Sequence, residues 1–391
     1  MTQRIILPKF LETGAGAIKK VPQLVRDIGC SQPLVVSDGV MASLGKVDAL
    51  CKTILDDGMT CDRYLDTEPE PTEDSILPAV EMFSHGGFDC IVALGGGSVI
   101  DSAKAIALLA RQGGRMQDFK VPHIVSEESY PVIACPTTAG TGSEVTRATI
   151  ITDSKTSEKM LCMGPGLLPV ASVVDYELTL TAPKRITADT GIDALTHAIE
   201  AYVSRKSGLF TDRLALLAME LIAPNLRQAV YNPENLDAKE KMMLGATLAG
   251  MAFSNASVAL VHGMSRPIGA HFHVPHGMSN AMLLPHITAY SIPAETAKYA
   301  DCARAMGLVG RERSDSDAVK LLLLELQELN HELSVPSLER FGISKAMYFD
   351  NLELMAEQAI ASGSPANNPR VPSKEDIIEL YKKVWYEEAI L

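Results

Sequence analysis

The stretch DCIVALGGGSVIDSAKAIALLA, residues 89–110, joins a short apolar run to a helical pattern through three glycines. The apolar run has the composition of a buried strand, and residues 99–110 have the spacing of a helix. PLVVSDG (33–39) is a similar strand followed by a helical pattern over about 42–57, and YPVIACPTTAGTGSE (130–144) is a strand followed by a small, polar turn. This alternation predicts a parallel sheet with helices on both faces.

Ligands of such sheets bind at the carboxyl ends of the strands, where all three turns lie. The glycines of GGGS (95–98) let the backbone approach a ligand closely. The helix that follows would direct unpaired N–H groups at an anion such as phosphate. Ser98 and Asp101 also match the S-x-x-D pattern of a helix start. For this loop alone, a tight turn with a well-capped helix and no ligand is the alternative.

The second turn, PTTAGTGSE (136–144), is rich in hydroxyl groups. Two such turns on one sheet could hold the two ends of a dinucleotide, whereas the alternative is a polar surface loop. Asp38 ends the strand LVVSD. Its carboxylate could bond the hydroxyls of an adenosine ribose and repel a 2′-phosphate, which would favour NAD over NADP. A carboxylate that caps a turn is the alternative.

The pattern changes after about residue 180, where β-branched runs become scarce. Pro183 marks a boundary near Thr181–Lys184, so we predict an α/β domain over 1–181 and an all-helical domain over 182–391. Helical periodicity supports the second domain. It occurs in TADTGIDALTHAIEAYVS (187–204), TDRLALLAMELIAPNLRQAV (211–230), AKEKMMLGATLAGMAFSNAS (238–257), SDAVKLLLLELQELNHEL (316–333) and SKEDIIELYKKVW (373–385).

Asp193 and His197 are four residues apart on a predicted helix, so both side chains lie on one face. They could share a divalent cation, and a simple Asp–His hydrogen bond is the alternative. The segment LVHGMSRPIGAHFHVPHGMSNAMLLPH (260–286) holds five of the nine histidines. Its glycines and prolines predict a loop that could bring His262 and His276 to the same point. One carboxylate and three imidazoles without thiolate suit iron or zinc, and the shell does not decide between them.

Composition excludes several other classes of protein. The 391-residue chain has a formal net charge of −13, which argues against a nucleic-acid binder. No apolar stretch approaches the length of a membrane span, and the N-terminal sequence lacks a secretory pattern, so we expect a cytoplasmic protein with no membrane partner. Seven scattered cysteines indicate reduced thiols rather than a thiolate zinc site.

Taken together, these segments resemble the iron-containing (group III) alcohol dehydrogenases, which have a dehydroquinate-synthase-like fold. GGGSVIDSAK and PTTAGTGSEVT resemble the nucleotide loops of that family. TADTGIDALTHAIEAYVS, LVHGMSRPIGAHFHVPHGMSNAMLLP and NNPRVPSKEDIIELY resemble its later segments, in order along nearly the whole chain. The resemblance implies a homodimeric, NAD-dependent enzyme with an active site in the cleft between an α/β dinucleotide-binding domain and an all-helical metal-binding domain. It would oxidise a primary alcohol reversibly to an aldehyde by hydride transfer to nicotinamide.

The resemblance also implies roles for individual residues. The metal ligands, for Fe²⁺ or alternatively Zn²⁺, would be Asp193, His197, His262 and His276. The NAD contacts would be Asp38, Gly96, Gly97, Ser98, Asp101, Thr137, Thr138 and Lys159.

Two positions depart from the family pattern. Many members have a histidine that relays the alcohol proton where this chain has Arg266. Arginine cannot shuttle a proton at neutral pH, so the relay would use His271, His273 or water. Many members also have asparagine where this chain has Glu70, which affects one nucleotide contact.

Three other functions fit the same sequence features. The first is different chemistry on this scaffold, as in a zinc polyol dehydrogenase or a dehydroquinate-synthase-like lyase. The second is a dehydrogenase for an anionic hydroxy acid or semialdehyde, because a guanidinium at position 266 suits carboxylate or phosphonate. In that case Arg266 faces the pocket, and an ion pair behind the metal site is the alternative. The third is a nucleotide-binding protein without catalysis.

Overall fold

Strands and helices alternate over residues 4–182 of the computed structural model, which describes residues 2–156 and 158–387. The strands are β1 (Phe10–Thr13), β2 (Pro33–Val36), β3 (Asp62–Tyr64), β4 (Cys90–Gly95), β5 (Val132–Pro136), β6 (Ala148–Thr152), β7 (Lys159–Met163) and β8 (Ala171–Val174). The helices are α1 (Val21–Asp27), α2 (Gly39–Ser43), α3 (Lys46–Asp56), α4 (Glu73–Gly86), α5 (Gly97–Gln112) and α6 (Met116–Phe119).

The parallel sheet predicted from the sequence is confirmed. Its strand order is β1-β8-β5-β4-β2-β3, and every pairing in it is parallel. Successive side chains of a strand point to opposite faces. Leu34 and Val36 therefore pack into a core with α4 and α5, whereas Val35 packs into a second core with α1 and α3. Helices cover both faces, as expected.

Three local predictions for this unit were incomplete or wrong. The helix expected over 42–57 is two helices, because Gly45 adopts a left-handed conformation with φ 69° between them. Asp101 does not cap α5, which begins after Gly96 without a side-chain cap. β6 and β7 form an antiparallel hairpin outside the main sheet, and it follows the hydroxyl-rich turn.

The second unit begins at Pro183 and includes Gln3, whose side-chain amide donates to the carbonyl oxygen of Asn255 at 3.2 Å. Its described residues form helices and short 3-10 turns, with no strand among them. The helices are α7 (Lys184–Val203), α8 (Leu209–Tyr231), α9 (Leu236–Ala256), α10 (Leu260–Phe272), α11 (His276–Ser291), α12 (Thr296–Ala305), α13 (Asp315–Glu332), α14 (Leu338–Phe341), α15 (Lys345–Asp350), α16 (Leu352–Ala361) and α17 (Lys374–Trp385).

The loop expected between His262 and His276 is mostly a helix, so that prediction was wrong. Buried Leu260, Met264 and Ile268 recur at helical spacing along α10 and hold it against the core. The glycine at 263 has a packing reason, because a Cβ there would lie 2.8 Å from the ring of Pro365. Only residues 273–275 separate α10 from α11.

No single helix within the described ranges is long and apolar enough to cross a bilayer. α9 and α10 reach that length and apolarity only as a pair, and their axes meet at a bend of 102°. All seven cysteines carry free thiols, and four of them are buried.

Candidate metal centre and nucleotide loops

Four side chains from three helices converge at one point of the second unit. Asp193 and His197 lie one turn apart on α7, His262 lies in the first turn of α10, and His276 begins α11. The Nε2 atoms of His262, His197 and His276 lie 3.5, 3.8 and 3.8 Å from Oδ1 of Asp193. One ligand atom from each of the four residues lies within 4.8 Å of those of the others.

The packing of α7 and its neighbours fixes the imidazole of His197. Its ring stacks on Phe253 of α9 with centroids 4.2 Å apart, and on His262 with centroids 4.5 Å apart. Asp193, His197 and His262 are all buried. The His276 side chain is 44% exposed, so it forms the accessible side of the cluster.

Glu200 supports the cluster from the next turn of α7. Its Oε2 atom lies 2.6 Å from Nδ1 of His262, and its carboxylate also accepts hydrogen bonds from the backbone N–H groups of Ala259 and Val261. When the Nδ1–H of His262 donates to this carboxylate, loss of the Nε2 proton leaves a lone pair that can bind a cation beside Asp193. The sequence analysis missed Glu200, although its position seven residues after Asp193 places it on the same helix face.

The donor set fits a divalent cation. Two ligand atoms about 2.1 Å from a tetrahedral centre are about 3.4 Å apart, close to the spacing of the imidazole nitrogens from Asp193. The Nδ2 atom of Asn280 lies 2.7 Å from Oδ1 of Asp193 and within 3.3 Å of two imidazole nitrogens, while its own Oδ1 is buried without a partner in the described chain. The two N–H groups of one amide cannot satisfy three acceptors. A cation placed among the carboxylate oxygen and the two imidazole nitrogens would satisfy all three.

The charge of Asp193 suits the same role. Burial acts to raise the pKa of this carboxyl, but the imidazoles of His197, His276 and His262 outweigh that effect and hold the pKa well below its usual range. The carboxylate is therefore ionised at neutral pH. Asn280 was also missed from the sequence, although it follows His276 by four residues and so lies on the same face of α11.

The three candidate catalytic residues, of which His271 and His273 are the proton-relay candidates, lie at different places along α10 and its C-cap. Arg266 follows His262 by one turn and donates from Nη1 to Oγ of Ser364 at 3.2 Å. His271 pairs with Oε1 of Gln358 at 2.8 Å, and His273 ends the helix in a left-handed conformation. The metal-ligand cluster does not include His271 or His273.

The two turns predicted to hold a nucleotide lie against each other in the first unit. β4 and β5 are neighbours, so the loops at their carboxyl ends meet. A Cβ at Gly97 would lie 2.9 Å from Cγ2 of Thr141, and one at Gly96 would lie 3.7 Å from the side chain of Thr138. Since α5 begins at Gly97 without a side-chain cap, N–H groups of its first turn remain for an anion.

Asp101 and Lys104 of α5 form hydrogen bonds with the second turn and with the strand that follows it. Asp101 accepts hydrogen bonds from the hydroxyl of Ser143 at 2.6 Å and from the N–H of Ile150 at 3.0 Å. The Lys104 ammonium donates to Ser143 and to the carbonyl oxygens of Thr146 and Ala148 at 2.8–3.0 Å. Burial lowers the pKa of Lys104 to about 8. The Asp101 carboxylate thus bonds within the protein, and its direct contact with a nucleotide stays a prediction.

The remaining nucleotide candidates also have partners within the chain. Ser98 accepts a hydrogen bond from the N–H of Glu70 at 3.3 Å, and Lys159 donates to Oε1 of Glu70 at 2.7 Å. Asp38 accepts from the N–H of Met41 at 2.8 Å and caps α2, which is the turn-capping alternative. Thr137 is buried, and its N–H donates to the carbonyl oxygen of Gly95 at 3.0 Å.

A parallel sheet with two small-residue turns, together with an Asp–His₃ cluster on helices, is the arrangement that the sequence resemblance implied for a metal-dependent, nucleotide-binding protein. Residues 8–176 match the family model described as iron-containing alcohol dehydrogenase, and residues 187–385 match that of the Fe-containing alcohol dehydrogenase family, C-terminal. The chain belongs to the iron-containing alcohol dehydrogenase family, as the sequence resemblance indicated.

Individual relatives cover almost the full chain. The NAD-dependent methanol dehydrogenase of Bacillus methanolicus is 34% identical over 96% of this chain and 98% of its own length. The 1,3-propanediol dehydrogenase of Citrobacter freundii is 35% identical over 97% of this chain and 98% of its own length. The crystal structure of a 1,3-propanediol oxidoreductase superimposes with a TM-score of 0.93 at 33% identity, covering 98% of this chain and all of that one. The chain is accordingly an alcohol oxidoreductase.

Proposed function

We propose that the protein catalyses the NAD-linked, reversible oxidation of a primary alcohol to an aldehyde, with Fe²⁺ held by Asp193, His197, His262 and His276. The observation that carries this proposal is the convergence of three imidazole nitrogens on one carboxylate oxygen in a chain of this family. The name of the family supports iron, although the ligand types alone also suit zinc.

A divalent cation in this cluster supplies Lewis-acid polarisation of the alcohol or aldehyde oxygen. The residues of the chain hold the ligand atoms in place for that chemistry. Glu200 keeps the lone pair of His262 Nε2 directed at the cluster, and the stacking of His197 between Phe253 and His262 fixes its ring. His276, the exposed ligand, leaves one side of the cluster open to a small molecule.

The nucleotide would bind at the two adjacent turns of the sheet. The N–H groups of the first turn of α5, at Gly97 and Ser98, would bond the pyrophosphate. Thr137 and Thr138 would contact the nicotinamide half, and Asp38 would contact the adenosine ribose. Asp101 and Lys159, which also have partners within the chain, would hold the loops and would contact the nucleotide from them.

The test is a measurement of NADH-linked absorbance on protein stripped of metal and reloaded with Fe²⁺ or Zn²⁺. Turnover of short primary alcohols and aldehydes should return with one equivalent of Fe²⁺ per chain. The turnover rate with Zn²⁺ should be lower than the rate with Fe²⁺. A protein that turns over a broad alcohol and aldehyde panel equally well without metal would contradict the proposal.

The cytoplasmic location, the homodimer and the absence of nucleic-acid or membrane partners stay predictions of the sequence. The formal charge of −13 supports the exclusion of nucleic acid. Light scattering on the purified protein would test the dimer, and fractionation of the source cells would test the location.

A further inference from the structure

Arg266 is a cation beside the metal centre that forms no ion pair with any of the described residues. It lies on α10 one turn beyond His262 and on the same helix face. Its hydrogen bond is to a neutral hydroxyl, Oγ of Ser364, at 3.2 Å. Among the described residues, Arg266 forms no ion pair, and acidic side chains of the second unit pair with other cations or with histidines.

Glu200, the acidic group whose charge acts on Arg266, already has hydrogen-bond partners. Its two oxygens accept hydrogen bonds from Nδ1 of His262 and from the N–H groups at the start of α10. Burial lowers the pKa of Arg266, and Glu200 opposes that effect without forming a hydrogen bond to the guanidinium. An arginine side chain stays protonated even so, and a partly desolvated charge without a counterion is costly.

The guanidinium keeps donors for a ligand. It has five N–H groups in a planar fork that matches the two oxygens of a carboxylate, and the bond to Ser364 uses one of them. The Arg266 side chain is half-buried and that of His276 is exposed, so both present atoms to a small molecule. Four residues of α-helix rise about 6 Å, a distance that a short substrate can span.

We propose that Arg266 binds an anionic end group of the substrate, so that the preferred substrates are short primary alcohols and aldehydes with an oxyanion at the far end. This inference rests on the proposed alcohol dehydrogenase function and narrows its substrate class. Arg266 then acts as a specificity-determining residue. It contacts the substrate away from the reacting carbon, and the proton relay falls to another group.

The experiment compares 4-hydroxybutanoate with its neutral counterpart 1-butanol on the metal-loaded enzyme. The wild-type kcat/KM should favour the anion by about tenfold or more, the gain that a charge-assisted hydrogen-bonded pair provides. Arg266→Gln should abolish that preference mainly through KM, whereas Arg266→Lys should keep part of it as a point charge. The matched control is Arg311→Gln, which removes the same charge from an exposed position and should leave the ratio unchanged. 3-Hydroxypropane-1-sulfonate and 3-hydroxypropylphosphonate then show which oxyanion fits best.

A second measurement avoids turnover altogether. Calorimetry with NADH present measures the dissociation constant for butanoate. Arg266→Gln should raise this constant by about tenfold or more, while the dissociation constant for NADH stays the same. Equal losses on 1-butanol and 4-hydroxybutanoate would overturn the proposal. So would unchanged butanoate binding, or a loss confined to NADH, which would place Arg266 on a cofactor phosphate. If the enzyme oxidises neutral alcohols but fails these tests, only this inference is refuted. If it turns over none of the compounds, the proposed function itself is refuted.

Discussion

Glu200 and His262 are joined by a 2.6 Å contact between Oε2 and Nδ1, and the same carboxylate accepts N–H bonds at the start of the helix that carries His262. One side chain of α7 therefore orients an imidazole and also stabilises the positive end of α10. Such a partner sets the tautomer of a ligating histidine and raises its basicity. The metal centre is thus coupled to the packing of two helices.

Glu200→Gln should weaken metal binding while leaving the four ligands in place. The amide keeps one acceptor but turns an NH₂ group towards N–H donors, so we expect metal affinity to fall by about 10- to 100-fold. Competition with a fluorescent chelator measures this change. The control is Glu220→Gln at an exposed position of α8, and an equal affinity for the Glu200 variant and that control would contradict the coupling.

His262→Ala should remove a ligand from the centre of the cluster. We expect metal content, measured by plasma mass spectrometry after dialysis, to fall from about one ion per chain to about a tenth of that or less, with NADH binding retained. His331→Ala removes an exposed histidine of α13 and should leave the metal content unchanged. Full metal occupancy in the His262 variant would show that the cluster does not hold the ion.

Asp38→Ser separates the two roles considered for this residue. Serine also caps helix N-termini, so the free energy of unfolding should change by only a few tenths of a kcal/mol. Removal of the charge should raise the kcat/KM ratio of NADPH over NADH by about tenfold or more, because the carboxylate would otherwise repel a 2′-phosphate. Asp38→Ala, which loses the cap as well, should cost about 1 kcal/mol. An unchanged nucleotide preference in both variants would leave Asp38 as a cap alone.

Lys104→Met should loosen the hydroxyl-rich turn. The ammonium bonds Ser143 and two backbone carbonyls, and each buried acceptor left without a donor costs about 1–3 kcal/mol. We expect a lower melting temperature and an NADH dissociation constant weakened by about tenfold, with normal metal content. Lys52→Met, on the exposed side of α3, is the matched control. NADH binding within about twofold of that control would mean that the turn holds its shape without Lys104.

The sequence predicted the sheet and the pairing of Asp193 with His197 because both depend on strong local patterns, whereas His262 and His276 were joined to that pair by the family resemblance. β2, β4 and β5 are continuous apolar runs that end at glycine or small polar residues, and Asp193 and His197 share a helix face at fixed spacing. It failed for residues 260–272 because glycine and proline suggested a loop, whereas packing against the core keeps α10 helical. The partners of Asp101 and Lys159 were also beyond reach, since they come from strands and turns distant in the chain.

The carboxylate of Glu200 and the rings stacked on His197 have their partners within the polypeptide, so contacts within the protein are enough to position these ligand atoms for an ion. Occupancy is then governed by which cation the cell supplies in excess. Preparations from iron-poor and zinc-rich cultures would yield the same folded protein with different inorganic content. The specific activity of a preparation would consequently depend on the metals in the growth medium as well as on the amino-acid sequence.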